Sequence, residues 1–323
     1  MTSIGSFEGG ILFETAKASS GNLRAALEGL RGCWKSSTLL WMHVNHFPCL
    51  SGVIVGGWFP QGEEAVISFS RARGFSELLV RIEKPGQRWT RRRGGYTAPL
   101  NDLRALVQAL ADEEMIAILL EPARPFSDLF SLTSVGDVDA GKLDIEVVGP
   151  GFDASDILRA DITPHERFEV RLGGTPVAAW GRRNLEVSRT HSVDRESYRA
   201  SVRRRLAKIG ARLRNPSFPD ELMGANVSES VLEGLAQEAA HFLRESGQTA
   251  LLDHSDVYEP LPAQLFDIFL KELLRLYKAV AESKVPWRTF SLAGSFLPED
   301  RLVIWDFFPP GDHDVRTLSH VRA

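Results

Sequence analysis

The chain has 323 residues, 43% of them hydrophobic and 25% charged, and a formal net charge of −4. This length supports two or three packed subdomains, the balance excludes a disordered chain, and the charge gives no general attraction for nucleic acid or a membrane surface. Cys33 and Cys49 are the only cysteines and have no metal-ligand spacing, so structural zinc is not expected and a reducing, cytoplasmic setting is. The N-terminal residues lack a basic-then-apolar leader, and no apolar run approaches the ~20 residues needed to span a bilayer.

In chain order, residues 14–31 read as a loop and then a helix, capped by Ser19 or Ser20, with Leu23, Leu27 and Leu30 on one face. Residues 38–59 alternate apolar runs with turn signals, which predicts strands near a sheet edge. "SELLVRIEK" predicts a strand, "PGQRWTRRRGGY" a turn or loop, and "NDLRALVQALADEE" an amphipathic helix capped by Asn101. "MIAILLEP" is a fully apolar strand. "FSDLFSLTSVGDVDAGKLDIEVVG" reads as two strands joined by a D-A-G-K turn. Residues 187–215, 228–246 and 261–284 carry helical patterns, and "TFSLAGSFLPEDRLVIWDFFPPG" closes as a hairpin turning at P-E-D-R. Strands early and late with helices between predict an α+β fold.

Chemistry-bearing residues gather at the strand ends: Arg81 in "LLVRIEK", Glu121 after "AILL", Glu146 with Gly149 and Gly151 in "IEVVGPG", and Asp306 in "LVIWDFFPP". Arginine offers planar donors to phosphate, glycine backbone can approach phosphate oxygens, and a carboxylate can hold the magnesium that bridges them.

In order and rough spacing these blocks resemble the ATP-binding domain of phosphoenolpyruvate synthase and pyruvate phosphate dikinase, a divergent branch of the ATP-grasp fold. Val80–Arg81 and the loop closing at Gly94–Gly95 stand where that family reads V-R-S-S and S-F-A-G. Met115–Glu121 stands for its V-V-Q-x-M strand, Thr163–Pro164 for its T-P, and Leu302–Pro310 for its final L-Y-I-L-Q-A-R-P. The resemblance covers about residues 76–172 and 286–310.

The resemblance implies two α+β subdomains clasping a nucleotide cleft, with a helical insertion. It implies segments 1–75, 76–185, 186–285 and 286–323, the last completing the ATP-grasp core. It implies Arg81 and Asp306 as catalytic residues, and Lys17, Arg81, Arg93, Gly94, Gly95, Glu121, Glu146, Gly149 and Gly151 around ATP. Asp306 and Glu146 would bind Mg2+. The implied activity is activation of a small-molecule carboxylate for ligation to an amine. The alternatives are a small-molecule kinase, a phosphotransfer subunit serving a phosphohistidine domain on a partner protein, or a non-catalytic nucleotide-binding protein.

The departures bear on catalysis. Ile82–Glu83 replaces the double serine, Phe308 replaces the last arginine, and Ser291 or Ala293 stands near the family's penultimate-strand glutamate. For Glu146 and Asp306 the residues leave a second reading, an ion pair with an arginine; for Glu121, a strand-end cap. His165 reads as a loop histidine, and "RRRLAK" at 203–208 as a solvated helix face. "HSDVYEP" at 254–260 reads as a linker. His43 and His46, placed on a strand, would point to opposite faces, against a metal site.

Overall fold

The computed structural model describes residues 3–7, 10–14, 30, 32–56, 60–86, 96–122, 130–152, 157, 162–173, 185–215, 227–247, 249–283, 285 and 287–309. Among these residues, twelve strands form two six-stranded antiparallel sheets, with seven helices, so the α+β expectation holds at that level. Sheet A contains β1 (Ser3–Phe7), β2 (Gly10–Glu14), β3 (Gly52–Val55), β4 (Glu77–Glu83), β5 (Tyr96–Pro99) and β6 (Ile116–Leu120), in the spatial order β1-β2-β3-β6-β4-β5. Sheet B contains β7 (Ser131–Asp137), β8 (Lys142–Val148), β9 (Glu166–Leu172), β10 (Leu185–Ser192), β11 (Thr289–Leu297) and β12 (Arg301–Phe308), in the order β10-β9-β8-β7-β11-β12. The helices are α1 (Trp34–Val44), α2 (Pro60–Arg73), α3 (Leu100–Asp112), α4 (Arg195–Arg214), α5 (Glu229–Glu245), α6 (Ala250–Asp253) and α7 (Ala263–Glu282).

Strand alternation sets the layers. On one face of sheet A, Val53, Val55, Val80, Ile82, Ala117 and Leu119 pack in one cluster with residues of α2 and α3. On the other, Ile54, Leu79, Ile118 and Leu120 join a second core that includes α1 and reaches into sheet B. Arg81 and Glu83 alternate with Leu79 and so share this inward face. In sheet B, Leu143, Ile145, Val147 and Val170 are buried, while Lys142, Asp144, Arg167 and Arg171 stand on the opposite, solvated side. The α7 stripe packs on the buried side, with Phe266 against Phe168 at 4.7 Å and Tyr277 against Phe290 at 6.3 Å.

Several local expectations change. Residues 34–44 form α1 rather than a strand. Residues Ser36 to His43 are all buried, so no amphipathic period marks the helix. His43 is therefore helical and buried, and His46 follows with φ 58. Asn101 lies inside the first turn of α3, whose cap is Pro99. The stretch at 187–215 divides into edge strand β10 and helix α4. Asp194 caps that helix by accepting from Ser197 N at 2.9 Å. The strand pairing places residues 77–120 in one sheet with residues 3–55, and the two sheets part between 120 and 131. The closing hairpin forms as read, turning through Glu299 and Asp300 in the left-handed region.

Candidate functional site

Arg81 and Asp306 meet at the seam between the sheets. Arg81 Nη2 donates to both Asp306 oxygens, at 2.6 and 2.8 Å, a charge-assisted pair made through one guanidinium nitrogen. Arg81 Nη1 donates to the Trp305 carbonyl at 2.8 Å. In the ladder, Ala293 faces Asp306 and Gly294 faces Ile304, so Trp305 is an extra, bulged residue. The bulge interrupts the alternation that puts Asp306 on the Leu302–Ile304 face in the sequence. Arg81 thus reads both the bulge carbonyl and the carboxylate beside it.

Glu83, buried beside Arg81, supplies the start of α1. Its carboxylate accepts from Lys35 N at 2.6 Å, and from Ser36 N and Ser36 Oγ at 3.0 and 2.7 Å. No side chain of the α1 N-cap residue does this, so a strand carboxylate answers the orphan amides and the positive helix end. Lys35 completes the cluster; burial first, then Arg81, holds its pKa below the usual lysine value. At the other end of β12, Glu121, just past β6, accepts from Arg301 Nη2 at 3.1 Å, a further tie between the sheets. The Cys33 and Cys49 thiols are each pushed up to about 12, mainly by burial, and are inert at neutral pH.

A row of directly paired residues crosses sheet B: Asp306, Ala293, Thr133, Glu146, Arg167 and His191. Glu146 and Arg167 form a cross-strand ion pair at 3.0 Å, both partly exposed. They line a cleft of about 750 Å³, bounded as well by His191, Pro164 and the first turns of α4. At a strand spacing of about 4.8 Å, Glu146 lies roughly 14 Å from Asp306. One magnesium, with bonds of about 2 Å, cannot be held by both. Among the described residues, no group of three or more His, Cys, Asp or Glu side chains is placed to hold a metal.

The G-P-G turn is corrected. Its glycines admit the chain's own side chains rather than a ligand. A Cβ on Gly149 would stand 3.0 Å from the Tyr258 ring, and Gly149 N already donates to His165 Nδ1 at 3.0 Å. Gly151, with φ +81, would bring a Cβ within 2.5 Å of Leu251 Cβ. His165 is fully buried within ring contacts of Phe152 and Tyr198, both at 4.8 Å, and Tyr258 at 5.1 Å. Burial first, and then His191, lowers its pKa to about 3, so it is neutral. Glu166 beside it accepts from Tyr258 Oη at 2.6 Å and Leu261 N at 2.7 Å, and pairs with Arg189. Segment 254–260 is therefore pinned to the sheet through Tyr258, rather than being a free linker. In the 203–208 run, Arg203 and Arg204 are exposed but Arg205 and Lys208 are buried.

Of the sequence-predicted site residues, Arg81 and Asp306 come together at the seam, Glu121 is tied to the opposite end of β12, and Glu146 stands apart at the cleft. Gly149 and Gly151 are used in packing. Lys17, Arg93, Gly94 and Gly95 lie outside the described residues. Sequence reasoning missed Glu83 and Lys35. The signal for Glu83 was its alternation with Arg81; nothing local marked Lys35.

No family model matches the chain, and no curated protein matches it. Among solved structures it is similar to a macrocyclase, MdnC from Microcystis aeruginosa MRC, solved with its precursor peptide MdnA. The identity is 8%, with 86% of this chain and 53% of that chain covered and a TM-score of 0.29. This chain thus spans about half the length of the macrocyclase chain, and a likeness this weak assigns neither fold family nor activity. No described helix is long and apolar enough to cross a membrane.

Proposed function

We propose that this chain is an ATP-dependent enzyme of ATP-grasp type that activates a small carboxylate by phosphoryl transfer from Mg-ATP for ligation to an amine. The observation that carries the reading is the opposition of Arg81 from one antiparallel sheet to Asp306 from the other across the seam. Their chemistry suits an exchange. A magnesium triphosphate would take Arg81 as a phosphate partner and Asp306 as a metal ligand, replacing one ion pair by two. Magnesium is commonly bound by one or two carboxylates together with phosphate oxygens, so a single Asp306 is a sufficient protein donor. Glu121 stands at the connection between the sheets, beside the place the resemblance gives to adenine. Catalysis would come from positioning and charge neutralisation, with Arg81 facing the transferred phosphoryl group.

Thermal unfolding with millimolar Mg-ATP tests this, since a ligand selective for the folded state raises Tm. The expected result is a clear rise with Mg-ATP, a smaller one with Mg-GTP, and none for Asp306→Asn with Mg-ATP. No rise for the wild-type chain defeats the proposal. A second reading, a non-catalytic protein whose seam is purely structural, is favoured by the direct ion pair between Arg81 and Asp306. It predicts no nucleotide effect.

A further inference from the structure

We infer that the cleft beside α4 is a binding site for a small carboxylate with an apolar body, held through Arg204. Its volume of about 750 Å³ is that of a ligand pocket rather than a packing defect. Ile157, Ile162, Pro164 and Val193 line it, an apolar wall for a carbon skeleton. The charges around it are unevenly committed. Glu146 and Arg167 neutralise each other at 3.0 Å. Asp194 is engaged as the α4 cap, accepting from Ser197 N and Ser197 Oγ at 2.9 and 2.7 Å, and these bonds hold its pKa low. Arg204, one helical face along from Ser197 and Ser201, lines the same cleft and has no ion-pair or hydrogen-bond partner among the described residues. Across from α4, the buried Nε2 of His191 also has no partner.

These commitments select the ligand. Among the described lining residues the two acids and two arginines balance, and Arg204 is the charged group whose hydrogen-bonding capacity is left unused. A carboxylate answers its planar fork with two parallel hydrogen bonds and matches one positive charge. A neutral molecule or a cation leaves the guanidinium to water. Inorganic phosphate matches the fork but offers the apolar wall nothing. The inference does not rest on nucleotide binding and is tested without nucleotide.

The test titrates the full chain with 3-phenylpropionate, with its neutral amide, and with inorganic phosphate, followed by calorimetry. The acid is expected to bind about tenfold more tightly than the amide, the worth of one charge-assisted contact, and phosphate more weakly than the acid. Arg204 is exposed, so Arg204→Gln should leave the fold intact. It should erase the acid's advantage while the amide binds as before. Ala200→Trp, on the same helix wall, should abolish binding of both. Equal affinity for acid and amide in the wild-type chain, phosphate binding as tightly as the acid, or an acid preference that survives Arg204→Gln would each overturn the assignment. So would the absence of saturable binding up to about 10 mM. The acid–amide comparison needs no variant, so it decides the matter even if a substitution unfolds the chain.

Discussion

At the seam, Arg81 is nearly buried and answered on three bonds by Asp306 and Trp305; at the cleft, Arg204 is exposed and unanswered among the described residues. The side chains are the same, and their surroundings make them different instruments. A buried guanidinium needs an anionic partner, because an unpaired buried charge is costly, so in the ligand-free chain the pair ties the two sheets together. An exposed guanidinium is stabilised by water and remains available to a ligand. Glu146 and Arg167 lie between these cases. They are paired but half in solvent, so their contact defines the cleft wall more than it stabilises the fold.

The comparison is broken most directly at Asp306. Asp306→Asn should lower the stability of the ligand-free chain by about 3 kcal/mol, because it strands Arg81 in the core. Chemical denaturation reads this, and Arg81→Met with Asp306→Leu should restore most of it. A single-variant loss within experimental error would move the pair into the exposed class.

The next largest effect sharpens the boundary between cleft and core, at His165. Its folded pKa of about 3 lies below the ordinary 6.5. Between these values the unfolded chain binds the proton and the folded chain does not. Stability therefore falls as pH drops below 6.5, by about 1.4 kcal/mol per unit from this group. The difference in unfolding free energy between wild type and His165→Asn, measured from pH 7 to 4.5, should carry that slope. A pH-independent difference would mean that His165 reaches solvent.

Glu83→Gln should cost about 1 kcal/mol, since the amide keeps one acceptor for the α1 amides but loses the charge that complements the helix end. Denaturant midpoints check this, and a loss no larger than that of a surface control would remove Glu83 from the seam. The smallest effect is at the cleft. Glu146→Gln should change stability by less than about 0.5 kcal/mol, as for an exposed pair. A loss of several times that size, read by the same denaturation curves, would erase the distinction between the two regions.

Much of the fold was legible where a period was clean. β4, β6, the β7–β8 pair, α5, α7 and the closing hairpin all follow from alternation, helical stripes or turn residues. The helix α1 was not, because a helix buried on nearly all sides has no polar face to set its period. The division between β10 and α4 was obscured by a continuous run of charge. Among the site residues, alternation placed Arg81 and Glu83 on one face but named no partner for either.

The sequence by itself determined that this chain is a mixed α+β protein, which faces of its clear strands and helices are apolar, and that arginine, glutamate, glycine and aspartate stand at strand ends. Only the tertiary structure decided what each of those groups touches. Arg81 and Asp306 are 225 positions apart, and a one-residue bulge at Trp305 turns the aspartate toward the arginine. Gly149 and Gly151 receive Tyr258 and Leu251 rather than a phosphate. The physical reason is that side-chain period fixes the direction of a group relative to its own backbone, whereas charge pairing and close packing depend on which distant segment arrives in front of it.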